Sequence, residues 1–164
     1  MGNFFGWLAL FFTLCTAVVH LLALAGNKLA LFFPSYFVLW VGLAVVIGLP
    51  FSHIAKKYFK GEYSFTAVRA ALPRHCFAIG VVLFGWLVYN FIVEWVVLKG
   101  GAPDILEGKY VLARGTLVRR ELSVDEFIEL SLRHTQFLSI LFTFAYFQLA
   151  AFLLWRKATA PSAT

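Results

Sequence analysis

The chain has 164 residues, of which 62% are hydrophobic and only 13% charged, with a net charge of +6. Soluble domains carry roughly 25% charged residues, so this chain lacks the charge to cover a globular surface in water. Its mean hydropathy is +0.84, and the apolar residues fall in long runs that make a bilayer the expected solvent. The Lys and Arg residues lie between those runs, where they read as topology signals facing anionic headgroups and not as a nucleic-acid surface.

The first run spans Phe4 to Ala25, with Thr13, Cys15, Thr16 and His20 as its polar interruptions. Its end, Ala23-Leu24-Ala25-Gly26, resembles a small-residue cleavage site. The first ten residues carry no Lys or Arg, however, and the run is longer than the ~7–15 apolar residues of a signal peptide, so it is read as a retained span. The second run is Leu31 to Pro50, with Pro34 in the first turn, where a missing N–H is tolerated. Next, Pro50 to Arg74 mixes Lys56, Lys57 and Lys60 with Phe51, Ile54, Tyr58 and Phe59. That mixture predicts a short helix lying among headgroups, with a basic site for an anionic ligand as the sharper alternative.

The third run is Cys76 to Leu98 and the fourth Phe137 to Trp155. All four runs are close to the roughly 20 residues a helix needs to cross the hydrocarbon. Cys15 lies inside the first and Cys76 at the opposite end of the third, so no disulfide is expected. In the loop between the third and fourth runs, Gly100-Gly101-Ala102-Pro103 ends the third helix. The segment GKYVLARGTLVRREL then predicts two short strands around Arg114-Gly115. Ser123 and Glu126 have capping-box spacing. Phe127, Leu130, His134, Phe137, Leu138 and Leu141 continue at helical spacing, which predicts one helix from about Val124 to Trp155.

The expected fold is therefore an all-α membrane protein. It is one domain, residues 1–164, built as a four-transmembrane-helix bundle with spans at about 4–25, 31–50, 76–98 and 137–155. A small extracytoplasmic cap over 99–133 carries a short β-hairpin and the extension of the last helix. Four spans put both termini on one side. That side holds Lys56, Lys57, Lys60, Arg69, Arg74, Arg156 and Lys157 against Glu62 alone, which predicts cytoplasmic termini.

The run GKYVLARGTLVRRELSVDEFIEL, leading into a polar-then-apolar last span, resembles the C-terminal part of a group of small bacterial four-helix membrane proteins of uncharacterised activity. These share a Gly-x-Tyr-x-Leu, Gly, then Leu-Ser-x-x-Glu pattern after the third span. The resemblance covers about a third of the chain and implies a bacterial membrane protein, with no activity attached. Members often open the last span with an aromatic, His-containing motif. Here that place is taken by Leu132-Arg133-His134-Thr135-Gln136-Phe137.

Polar residues inside spans are costly and therefore the first functional candidates. The segment VYNFIVEWVV places Asn90 and Glu94 four apart, on one face of the third helix. At ~1.5 Å per residue, Glu94 lies roughly 6 Å from the helix end at Leu98, Asn90 about 12 Å, and His20 about 8 Å from Ala25. Ser35 and Tyr36 open the second span at the same leaflet, and His134 and Gln136 the fourth. Three uses suit the set His20, Tyr36, Asn90, Glu94, His134 and Gln136. The first is an interhelical hydrogen-bond network, with Glu94 pairing His20 or His134, at about 0.6–2 kcal/mol per bond. The second is an outer-leaflet pocket of a membrane enzyme or small-molecule carrier, with the carboxylate and imidazoles as acid and base. The third is a haem or metal site of a redox subunit. No nucleophile elbow or phosphate-binding glycine loop accompanies them. The leading expectation is a non-catalytic accessory or interaction protein that binds lipid and partner subunits through its aromatic faces.

Overall fold

The computed structural model describes residues 2–32, 65–115 and 117–155. Three helices in it are long and apolar enough to cross a membrane. They are α1 (Gly2–Leu24), α3 (Arg74–Leu98) and α4 (Val124–Leu154), joined by a 3-10 turn at Lys28–Phe32, the short α2 (Phe65–Ala71) and a small sheet. Nearly all of the second apolar run lies outside the described residues, with Ser35, Tyr36, Lys56, Lys57 and Lys60. Its first two residues, Leu31 and Phe32, belong to the 3-10 turn.

The chain divides into two compact units. The first contains α1 up to Cys15, α2, α3 up to Phe84 and α4 from Phe142. Its core is Leu72, Cys76, Phe147 and Ala151, and Phe12 stacks on Tyr146 at 5.2 Å between ring centres. The second contains α1 from Thr16, the 3-10 turn, α3 from Gly85, the sheet and α4 up to Leu141. One cluster there joins Val19, Ala23, Ala30 and Leu132. A second joins Leu98, Leu112, Leu122 and Leu130.

Burial along α1 follows one rule. Gly6, Ala9, Thr13, Thr16, His20 and Ala23 are buried, at alternating spacings of three and four. Phe4, Trp7, Phe11, Leu14, Val18 and Leu21 follow the same spacing on the other face and are exposed. Small residues line the contact because lipid rewards close backbone approach and van der Waals fit, and gives no hydrophobic drive for large side chains to leave it. The Thr13 hydroxyl is satisfied within the helix by donating to the Ala9 carbonyl at 2.9 Å. In α3, Cys76, Gly80, Leu83, Leu87, Asn90, Glu94 and Leu98 form the corresponding inward stripe, and most of the rest of that helix is exposed.

Helix ends follow from local chemistry. Gly26 has φ of 68° after α1, with Gly26 N–H on the Ala23 carbonyl and Asn27 N–H on the Leu22 carbonyl, a Schellman cap that needs glycine at the left-handed position. The small residues that resemble a cleavage site thus terminate α1. α3 ends with Lys99 and Gly100 at φ of 49° and 72°. α4 starts with the expected capping box: Ser123 N–H donates to Glu126 Oε2 at 2.9 Å and Glu126 N–H to Ser123 Oγ at 3.2 Å. With 31 residues, α4 is about 46 Å long, more than the ~30 Å hydrocarbon.

The expected β-hairpin around Arg114-Gly115 forms as β2 (Lys109–Arg114) and β3 (Leu117–Glu121), and an unexpected edge strand β1 (Ala102–Leu106) extends it to a three-stranded antiparallel sheet in the order β1-β2-β3. Residues read as a helix breaker, Ala102-Pro103, open β1. Proline has no N–H to give to a ladder, and β1 tolerates it as an edge strand. Glu107 and Gly108, at φ of 51° and 78°, make the tight two-residue turn into β2, where both central positions need positive φ. The sheet turns Leu112 inward against Leu98 and Leu130, and Tyr110 packs on Phe127 at 4.6 Å. Outward, Lys109 pairs with Glu121; the hydrogen bond that its ammonium donates to Glu121 raises the lysine pKa, though solvent screens so exposed a pair.

Two substitutions test this account. Thr16→Leu overpacks the inward stripe of α1 and lowers stability by about 1–3 kcal/mol, whereas Leu14→Ile on the exposed face leaves the detergent melting midpoint unchanged. Ser123→Ala removes the cap and costs about 1 kcal/mol, read as faster hydrogen exchange at the Glu126 amide.

Candidate functional site

Most of the candidate polar residues fall within the second unit, where they form two groups. The first centres on His20, which is almost fully buried. Trp86 Nε1–H donates to His20 Nε2 at 2.8 Å. An indole nitrogen can only donate, so Nε2 must present its lone pair and Nδ1 carries the proton. Nδ1 then donates to the Gln136 carbonyl at 3.0 Å, and the Ser139 hydroxyl lies 3.1 Å away. Ser139 Oγ in turn donates to the Thr135 carbonyl at 2.6 Å. Gln136 reaches across from α4 through its side-chain amide, donating to the Ala23 carbonyl at 2.9 Å. Ala23 lies in the last turn of α1, whose final carbonyls have no partner within the helix.

Asn90 belongs to this group by one link. Its Nδ2 donates to the Trp86 carbonyl one turn earlier at 2.9 Å, and its side chain is buried. The bond holds the amide against its own helix, directly below the tryptophan that caps His20. Trp86 also stacks on Tyr89 with ring centres 5.2 Å apart.

The second group is a contact between an imidazole and a carboxyl group. His134 Nδ1 lies 2.5 Å from Glu94 Oε1, the two side chains being 25% and 15% exposed. Glu94 is held at this level because Leu98, one turn on, is buried beneath the sheet. On its other side the carboxylate lines a cavity of about 190 Å³ with Phe91, Trp95, Leu98, Gly100 and Gly101. Gly100 faces the Trp95 ring, which a β-carbon there would meet at 3.4 Å, an ordinary contact distance. Neither His20 nor His134 is in that lining.

The six candidates therefore separate. Glu94 takes His134 and not His20; His20, Gln136 and Asn90 share the other group; Tyr36 lies outside the described residues. Two participants were not among the candidates. Ser139 follows Gln136 by three and Thr135 by four residues, a spacing that puts all three within reach of one neighbour. Trp86 stands four before Asn90, the spacing that lets the Asn90 amide reach the Trp86 carbonyl. With its lone pair taken by an indole, His20 has no nitrogen to offer a metal. Among the described residues, no three His, Cys, Asp or Glu side chains converge as a metal site requires.

Compared with known proteins, the chain matches no family model, no curated protein and no solved structure.

A double-mutant cycle of Trp86→Phe and His20→Phe measures the central bond. The expected coupling is roughly 0.6–2 kcal/mol of thermal stability in detergent; strictly additive effects would remove the bond from the account.

Proposed function

We propose that this chain is a small multi-pass inner-membrane protein of non-catalytic, accessory type, whose partners are the lipid bilayer and other membrane subunits. The observation that carries this reading is the saturation of the His20 group. Both imidazole nitrogens are engaged, and the amides of Asn90 and Gln136 are bonded to backbone carbonyls. An imidazole so committed ties helices to one another and has no nitrogen left for a substrate. Against this, the outward faces of α1 and α3 present Trp7, Phe11, Phe84, Tyr89, Ile92 and Trp95. That is more aromatic surface than membrane belts alone require, and it suits docking of another helix.

The finer arrangement belongs to the same proposal. The run 31–50 supplies a fourth span, and the sheet with the start of α4 forms a cap on the extracytoplasmic side. The excess of Lys and Arg near the opposite span ends places both termini in the cytoplasm. The pattern in GKYVLARGTLVRRELSVDEFIEL supports a bacterial source.

A second reading rests on the Glu94–His134 pair beside its own cavity. A carboxylate and an imidazole in contact can pass a proton, and the aromatic walls would hold a small ligand, as a membrane enzyme or carrier requires. A haem or metal role ranks third, because His20 would first have to leave its three partners.

Photo-crosslinking from positions Tyr89 and Ile92 in intact cells separates these readings. The accessory role predicts a discrete protein adduct that persists in Glu94→Gln. Lipid adducts alone at both positions would refute it.

A further inference from the structure

The first unit carries a different combination, a basic basin opening into an apolar groove. Arg69 on α2 and Arg74 at the start of α3 line a basin of about 480 Å³ with Thr66, Ala70 and Phe77. Both arginines are exposed, and among the described residues neither has a carboxylate within ion-pair distance. Phe77 is also a wall of the adjoining groove, of about 440 Å³, which continues past Gly80, Phe84, Phe144, Gln148 and Phe152.

Gly80 and Gln148 give the groove its depth and its one polar contact. A β-carbon on Gly80 would stand 2.6 Å from Gln148 Nε2, so the missing side chain is what leaves the amide room at that level. Among the described residues, the Gln148 amide has no hydrogen-bond partner, although it faces an almost entirely apolar surface. An amide so placed lacks a bond of the kind that helix-facing polar groups in membranes otherwise make.

The geometry points to an occupant: we infer that this surface binds one anionic diacyl phospholipid. The headgroup phosphate takes Arg69 and Arg74, with guanidinium forks matched to phosphate oxygens. Gly80 lies six residues along α3 from Arg74, about 9 Å at ~1.5 Å per residue. The headgroup zone is about 5–8 Å thick on each side of a bilayer. A phosphate at the arginines therefore brings an ester carbonyl to the level where Gln148 Nε2 can donate. Below that level the acyl chain lies along Phe84, Phe144 and Phe152. A free phosphate would satisfy the arginines and leave both the amide and the groove empty, so the lipid accounts for more of what is built there.

The test is native mass spectrometry of the full chain in a mild detergent, titrated separately with phosphatidylglycerol and phosphatidylcholine of the same acyl chains. One phosphatidylglycerol is expected to bind, about thirty-fold tighter than phosphatidylcholine, from about fivefold per basic side chain. Arg69→Gln/Arg74→Gln, both surface changes that leave the core intact, should erase that preference. Gly80→Leu should weaken both lipids while the arginines remain. Equal binding of the two lipids by the native chain would overturn the inference. So would an undiminished preference in the double arginine variant, or competition by millimolar inorganic phosphate as strong as by the lipid.

Discussion

Lipid gives two apolar helices no reason to leave it for each other. Every association in this chain therefore has to come from close fit or from polar groups that prefer a partner to hydrocarbon. α1 meets the constraint by exchanging size for proximity: its inward stripe is Gly6, Ala9, Thr13, Thr16, His20 and Ala23, while Phe4, Trp7, Phe11, Leu14, Val18 and Leu21 face out. A soluble helix would be arranged the other way round. The two threonines and the histidine are not interruptions of a hydrophobic span on this view. They are the face by which the span is held.

The same constraint explains why His20 takes so many bonds. A lone imidazole in hydrocarbon would carry two unsatisfied nitrogens, each costing a few kcal/mol. Trp86 from α3 and the Gln136–Ser139 turn of α4 satisfy both at once, so one side chain on α1 contacts two other helices. The bond is also directional. It requires a donor on α3 and an acceptor on α4, and thereby fixes the rotation of each helix about its axis in a way that methyl packing does not. Glu94 repeats the device with His134, and the sheet, by burying Leu98, fixes the height at which the pair forms.

Much of this was legible in the residues. Ser123 and Glu126 located the start of α4 because a capping box is local chemistry. The unbroken spacing from Phe127 to Leu141 carried that helix through to its end. The spacing of Asn90 and Glu94 correctly placed them on one face. Their partners were not legible: periodicity gives the face of a helix and says nothing of which neighbour it meets. The role of Trp86 was not legible either, since nothing local distinguishes an indole that anchors to headgroups from one that donates to a buried histidine. β1 was missed for a related reason. Gly100-Gly101-Ala102-Pro103 has the composition of a breaker, and only the presence of a neighbour on one side alone makes proline acceptable in a strand.

The polar groups differ most in whether the protein completes them. His20, Asn90, Gln136 and Glu94 all find protein partners, and His20 has one at each nitrogen. Gln148 sits in α4 with the same chemistry and has none among the described residues, and among those residues neither Arg69 nor Arg74 has a carboxylate within ion-pair distance. Mere tolerance of polarity would not sort these groups so cleanly by position. If a glutamine amide were simply accommodated, an alanine in place of Gly80 would serve, with Gln148 turned toward the helix surface. The glycine instead keeps room for an amide donor on the apolar wall, about 9 Å along α3 from Arg74. Completion from within gives helices a fixed arrangement, and completion left to the surroundings gives the chain a means of distinguishing among them.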